Sequence, residues 1–467
     1  MAQQKTKSRI HRINGTAIRY TNKPITSWGG LTAILGGFLE KIDFKGWVEA
    51  NVPIRECSNN GKGIYEKVLA TFLTVLSGGE RFSHVMWWNS GTAAIKPVFG
   101  VDWFPKAAST LTRFWNKISR QSLSEKLLHN GRTLATEILE WEGISEGTLN
   151  FDSSVLTRYG DQDGAKKGYN PKKKGRGSHH PLLAFLSSGY IVNFWNRSGD
   201  TSSGQGVKEF LIQTLHILGE SFKVKRVLCD SGFYLIELIT YLEEKCLHYI
   251  ISVPILPIIQ QRIEGIKQWE RVAFGIEVAE FEFEHFDRKW TTPRRYVVVR
   301  QEKNKRPKAI GKQPSLFKDL PELSEYRYSV MITNDHDSEP VEIWREYRPR
   351  AKDENVIKDL KYGYGFEAFN MNNFWATEAI LGMILLVLYN LVHYLNRTVL
   401  NSKGPQEHLK TLRFKYFAIP ALFEPIENQP ILRLGVKGRT SKKIFSTILN
   451  RISLNNNRLK CIAVEIL

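Results

Sequence analysis

The sequence predicts an α/β protein with a helical region before it and a basic region after it. Three observations carry that reading. Residues from about 26 to 145 hold apolar side chains at three- and four-residue spacing, as in Gly63–Leu76 and Leu111–Leu128, which is the helical period. From 147 onward the order becomes strand, hairpin, helix, strand, helix, strand, which gives a mixed sheet with helices on it. Near 268–302 the pattern turns to alternating or continuous apolar runs, a β-rich stretch set before a return to helix.

Each element has its own signal. Ala108–Arg120 starts on Ser and Thr and sets Arg113, Lys117 and Arg120 beside Phe114 and Trp115. Two readings fit it equally: a DNA-recognition helix, or an amphipathic helix with a solvated basic face. Gly147–Leu156 alternates in part, as a strand does. A Gly/Lys-rich loop follows, with Lys166, Lys167, Lys172, Lys173, Lys174 and Arg176. Pro181–Arg197 is a hairpin turning at Ser187-Ser188-Gly189. Gly206–Leu218 and Phe233–Lys245 are helical, and Lys225–Asp230 and His248–Pro254 are short buried strands. Ile276–Phe283, Tyr296–Arg300 and Tyr326–Thr333 are strands, with a Lys/Pro-rich loop at 303–318. Glu342–Tyr362 reads as one long helix, with Pro349 as the place for a kink or a later start. Phe374–Asn396 follows as a buried helix. Its apolar centre, Ala379–Val392, falls short of the ~20 residues of a membrane span, and Glu378, Asn390 and His393 bound or interrupt it.

Composition narrows the function. The 467 residues carry 66 Lys+Arg against 47 Asp+Glu, a formal net charge of +19, so a polyanion is the expected partner, nucleic acid first. With 42% hydrophobic residues the chain can bury sizeable cores, which excludes a mainly disordered protein. Cys57, Cys229, Cys246 and Cys461 form no C-x-x-C pair, no zinc-finger spacing and no disulfide framework. The first 25 residues carry six basic residues and no acid, without the apolar core of an export signal. No Walker loop is present, so nucleotide use is not expected.

Three acids stand out. Asp152 lies in the first strand, Asp230 ends another after Val227, Leu228 and Cys229, and Glu354 lies on the long helix. A carboxylate on a buried strand is costly to ionise unless a cation or hydrogen bonds offset it. Taken singly, Asp152 could cap a turn and Asp230 the next helix. Taken together they suit hard divalent cations, Mg²⁺ with Mn²⁺ as substitute, two of which could serve phosphodiester chemistry. On an unbroken helix Tyr347, Arg350, Glu354 and Lys361 would share one narrow stripe; if Pro349 breaks it, only the last three do. Asp161, Asp163 and Asp200 are rival acids in Gly-rich or turn contexts, and His179-His180 is read as an unlikely metal pair because neighbours on a strand face opposite ways.

The spacing Tyr347-(2)-Arg350-(3)-Glu354-(6)-Lys361 resembles the YREK signature of bacterial insertion-sequence DDE transposases. Residues 151–185 also look like the region around the first aspartate of that family, closest to the group numbered thirteen-eighty. The resemblance covers roughly 26–460. It implies an RNase H-like catalytic core with a β-rich insertion. Asp152, Asp230 and Glu354 would be catalytic and metal-binding. Tyr347, Arg350 and Lys361 would contact phosphates of the transposon end. It implies cut-and-paste transposition: binding of terminal inverted repeats, cleavage of the ends and joining of the 3′-OH to target DNA. The alternatives are an RNase H-like endonuclease without strand transfer and a catalytically silent DNA-binding relative. Lys172, Lys173, Lys174, Arg176 and Arg113 are further candidates for DNA contact. Trp269 and Trp290 are candidates for holding a flipped base, with a core role as the competing reading for each. The expected divisions are 1–145, a basic arm and helical DNA-binding domain; 146–257 and 326–400, the two parts of the core; 258–325, the insertion; and 401–467, a basic region suited to dimer contacts. Its 12 Lys/Arg less 4 Glu give +8. A cytoplasmic, nucleoid-associated homodimer on DNA, away from membranes, is the expected setting.

Overall fold

The computed structural model describes residues 11–460, apart from 15, 19–20, 57–62, 172, 285–289, 291, 306–320, 401–406, 425 and 427–429. A nine-stranded mixed sheet runs through its centre. Its strands are β1 (Glu146–Ser153), β2 (Leu182–Leu186), β3 (Ile191–Trp195), β4 (Lys223–Cys229), β5 (Tyr249–Val253), β6 (Glu270–Ala273), β7 (Ile276–Phe283), β8 (Arg294–Glu302) and β9 (Tyr326–Thr333). Their order across the sheet is β3-β2-β1-β4-β5-β9-β8-β7-β6. β1, β4 and β5 run parallel, and every other pairing is antiparallel.

The β-rich stretch expected at 258–325 forms β6–β8, which continue the central sheet: β8 pairs with β9 over eight residue pairs, and β9 pairs with β5. Ile276, Val278, Val297, Val299 and Met331 are buried in one cluster apart from the main core, so the ribbon carries its own apolar face.

The other pole is helical. Helices α1 (Gly29–Lys41), α2 (Phe44–Asn51), α3 (Ile64–Leu76), α4 (Ala108–Trp115) and α5 (Gln121–Trp141) precede the sheet, and α6 (Val207–Leu218) and α7 (Ile236–Glu244) connect its strands. The expected helix 108–120 stops at Trp115, and α5 starts afresh at Gln121, so Leu111–Leu128 is two helices. The basic tail does not stand apart. Its helix α11 (Arg439–Ser453) buries Phe445, Ile448 and Ile452 in the same apolar core as Leu31 and Phe38 of α1. Ala421–Glu424 pairs with Ile25–Thr26.

The long apolar helix α10 (Phe374–Leu400) lies in the middle, with 94% of its most apolar window buried inside the protein. By length and composition alone it could cross a membrane; here it is a core helix. It crosses α5 closely. A Cβ on Gly131 would come 3.1 Å from the Leu386 Cβ, and one on Gly382 would come 2.7 Å from a Leu128 methyl, so larger residues at either would force neighbours to shift. The polar residues of α10 complete the edge strand. Asn390 donates to the Ile191 carbonyl (2.7 Å) and accepts from its N–H (3.0 Å). Glu378 accepts from the Asn196 N–H (3.2 Å). These bonds occupy the start of β3 and the residue just past its end, so α10 covers part of this sheet edge.

The region expected as one helix, 342–362, is broken. α8 (Pro340–Tyr347) carries a capping box between Glu339 and Glu342, a 3₁₀ turn spans Arg348–Arg350, and α9 (Ala351–Tyr362) follows. Pro349 lacks the N–H that a continuous helix needs at that point. The Gly/Lys-rich loop also holds more structure than expected: Lys166–Lys167 and Leu156–Thr157 both pair with Gly177–His179.

Candidate active site

Strand register builds the site. On the parallel pair β1 and β4, Phe151 stands opposite Cys229. The next residue of each chain segment, Asp152 and Asp230, therefore lies beside the other at the carboxyl end of the pair. Side-chain alternation sends Leu149, Phe151, Val227 and Cys229 into the core, all fully buried, and Asn150, Asp152, Leu228 and Asp230 to the opposite face. Asp230 also accepts from the Gly232 N–H at 2.8 Å and starts a 3₁₀ turn, so the capping role open to it coexists with its place in the site.

Arg350 reaches the acids from the turn between α8 and α9. Its Nη2 lies 3.6 Å from Asp152 Oδ2 and 3.8 Å from Asp230 Oδ2, and donates to the Phe151 carbonyl at 3.3 Å. Burial pushes the Asp152 carboxyl up to about 6; Arg350 draws it back, while Asp230 and Glu354 push it further. The same burial opposes the charge on Arg350, yet Asp152, Tyr347 and Asp230 together hold the guanidinium above its ordinary value. The pair is one-sided. Arg350 is held cationic, but one loose ion pair leaves Asp152 short of positive charge.

The helix break sorts the remaining expected residues. Tyr347 ends α8 and does not share a helical stripe with the others. Its hydroxyl donates to the Cys229 carbonyl at 3.1 Å, and burial pushes the phenol up to about 12. Glu354 is exposed on α9. Lys361, two turns on, donates to the Val155 carbonyl at 3.1 Å. Among the described residues, no three His, Cys, Asp or Glu side chains are gathered tightly enough to hold a metal ion. Asp152 and Asp230 fit a hard divalent cation in kind and placement; Glu354 acts on Asp152 through its field and does not close the group.

Other candidates fall elsewhere. Trp290 is 2% exposed, its ring centroid 5.0 Å from that of Tyr234 and the Arg294 guanidinium 5.2 Å from its face. The expectation of a DNA-stacking Trp290 is therefore corrected for this conformation: its faces are occupied by the core. Trp269 is half-buried under the Arg300 guanidinium at 4.1 Å. Lys173, Lys174 and Arg176 are exposed, and Lys172 lies outside the described residues. Arg113 is exposed on α4 and donates to the Ser109 carbonyl at 3.2 Å. Asp163 accepts from the Phe374 N–H, and Asp200 pairs with Lys166 at 3.4 Å. His179 and His180 are buried and bonded to the Asp163 and Thr201 carbonyls.

Sequence reasoning missed two neighbours. A cavity of about 390 Å³ beside the acids is lined in part by Asn150, Arg226 and Arg350. Asn150 Oδ1, Arg226 Nε and Arg350 Nε are buried there without a hydrogen-bond partner. Asn150 stands two residues before Asp152, and Arg226 four before Asp230. The period of 2 that places the acids places these on the same face, and that signal could have found them.

The family model described as Transposase DDE domain group 1 matches residues 105–457, a span that contains all three acids and Lys361. The chain belongs to the DDE transposase family. Among solved structures it is similar to the piggyBac transposase, seen by cryo-EM in a synaptic complex with hairpin DNA. The identity is 12%, over 83% of this chain and 79% of that one, with a TM-score of 0.42. No curated protein matches it.

Proposed function

We propose that this member of the DDE transposase family is a cut-and-paste DNA transposase of the YREK type. It would bind terminal inverted repeats, cleave the ends and join the freed 3′-OH to target DNA. The observation that carries this is the Asp152–Asp230 pair, set side by side by parallel register and bridged by Arg350 of the YREK segment. The β3-β2-β1-β4-β5 half of the sheet, with β1, β4 and β5 parallel, supports reading the core as RNase H-like. We assign 1–145 to end binding and 401–467 to contacts within a homodimer on nucleoid DNA, away from membranes.

Asp152, Asp230 and Glu354 would hold the divalent ions, Mg²⁺ or Mn²⁺, which supply Lewis-acid stabilisation of the phosphodiester. The chain's own part is positioning and electrostatics. Arg350 bridges the two acids and would offer its guanidinium fork to a backbone phosphate. Lys361 and the exposed Lys173, Lys174 and Arg176 would contact the phosphate backbone. The deficit of positive charge at Asp152 favours cation uptake.

The test is cleavage of DNA carrying the cognate ends with Mg²⁺ or Mn²⁺, for wild type and Glu354→Gln. Wild type is expected to cut and the variant to lose cutting. Equal cutting by the two overturns the site assignment. Strand-transfer product from a precleaved end identifies a transposase; cutting without it identifies an endonuclease. Binding without cutting identifies a silent relative.

A further inference from the structure

The parallel register that sets the two acids side by side also builds the cavity of about 390 Å³ further back along the same strands. Thr148 stands opposite Arg226 and Asn150 opposite Leu228, so these four share the face that carries Asp152 and Asp230. A bulge between Val224 and Arg226 brings Lys225 to the wall as well as Arg226. Pro349 and Arg350, from the turn between α8 and α9, line the cavity too. Asn150 lies two residues before Asp152, about 7 Å along the strand.

The cavity holds buried polar atoms that bond to nothing among the described residues. Asn150 is 4% exposed, and its Oδ1 accepts no hydrogen bond. Arg226 donates from Nη2 to Asp335 at 2.5 Å and pairs through Nη1 with Glu346, while its Nε is buried and unbonded. Arg350 spends Nη2 on the Phe151 carbonyl beside the two acids, and its Nε is likewise unbonded. Each such atom costs free energy until it is met.

Together the three atoms ask for a ligand that accepts from two guanidiniums and donates to one amide oxygen. Lys225, Arg226 and Arg350 against Glu346 make the lining cationic, which suits an oxyanion as the accepting group. The volume lies within the roughly 300–1,000 Å³ of small-molecule sites. Leu228 and Pro349 offer apolar wall to an organic body. The backbone of DNA does not meet the whole set: its phosphate and sugar oxygens only accept, so Asn150 would stay unmet. We propose that this cavity is a second binding site, for a free phosphomonoester that carries a carbon-bound hydroxyl. The phosphate would sit on the Nε of Arg226 and Arg350, and the hydroxyl on Asn150 Oδ1. The site is distinct from the acids and does not rest on the transposase reading; Arg350, shared by both, is its link to them.

The full chain is titrated calorimetrically at pH 8 with ribose 5-phosphate, ethyl phosphate and ribose. That pH is above the second phosphate pKa of about 6, so the esters carry no P–OH and only carbon-bound hydroxyls donate. Ribose 5-phosphate is expected to bind once per chain, ethyl phosphate about tenfold more weakly, and ribose not at all. Asn150→Leu should weaken ribose 5-phosphate about tenfold and leave ethyl phosphate unchanged. Arg226→Lys keeps the charge, removes Nε, and should weaken both esters about thirtyfold. Thermal melts establish that each variant is folded, and the contrast between the two esters on wild type stands without the variants. No binding of ribose 5-phosphate overturns the proposal, since water then fills the cavity. Equal affinity for the two esters overturns it, as does ribose 5-phosphate binding unchanged in both variants. If the variants weaken a plain DNA duplex as strongly as ribose 5-phosphate, the cavity serves DNA, and this proposal fails while the transposase reading stands.

Discussion

The two faces of β1 and β4 differ sharply. On one, Leu149, Phe151, Val227 and Cys229 are fully buried. On the other, Asp152 and Asp230 flank Arg350, and Asn150 and Arg226 line the adjoining cavity, with buried donors and acceptors left unpaired. The first face is saturated and holds the fold. The second is left electrically unfinished, which costs stability and leaves room for a charged partner. Alternation along one pair of strands thus separates stability from chemistry at single-residue resolution.

Substitutions should respect that division. Asp230→Asn changes only the unfinished face. It should lower cleavage on the order of a hundred- to a thousandfold in a gel assay with cognate ends, with a thermal midpoint no lower than that of wild type. A large drop in the midpoint would show that the acids hold the fold as well. Leu385→Ala acts on the saturated side. Leu385 is fully buried in α10, and truncation should cost about 2–5 kcal/mol in urea unfolding while the folded fraction cuts normally.

Glu378 blurs the comparison, because it is an acid on the saturated side. It is 5% exposed, and burial pushes its carboxyl up to about 7 despite hydrogen bonds from Ser124 and the Asn196 N–H. A raised folded value means that the stability it contributes is full below the unfolded value and is lost as pH rises through about 7. Glu378→Gln should therefore flatten the fall in stability between pH 5 and 8, by about 2–3 kcal/mol at the upper end. Chemical denaturation at both pH values reads this, and parallel curves for the two proteins would refute it. The smallest effect is expected for Tyr347→Phe, which removes the bond to the Cys229 carbonyl and should cost about 1 kcal/mol. A loss of cleavage much greater than that would show the hydroxyl leaving Cys229 for the DNA.

Strand and helix periods made much of this legible. Ile276–Phe283 and Tyr326–Thr333 match their expected bounds, and the hairpin turns at Ser187–Gly189, with Gly189 at φ +94°. These signals are local. Whether β6–β8 form a separate body or join the central sheet depends on pairing between residues far apart in the chain, which no period encodes. The break at Pro349 could be read as an option, but its outcome depended on what α8 and α9 pack against. Asp152 and Asp230 could be singled out as costly acids. Their adjacency is a matter of register between two strands separated by about 80 residues of sequence. Trp290 failed for the opposite reason: aromatic residue type does not tell a core ring from a binding ring.

Continuity of the sheet has one more consequence. Neighbouring strands rotate by about 20–25° on average, and six steps separate β1 from β6. The accumulated turn is roughly 120–150°. A straight rod laid along the catalytic strand would therefore meet the outer ribbon obliquely, at roughly 30–60°. The outer ribbon and the catalytic strands thus present differently oriented edges to anything seated at the acids, a difference that sheet continuity holds fixed.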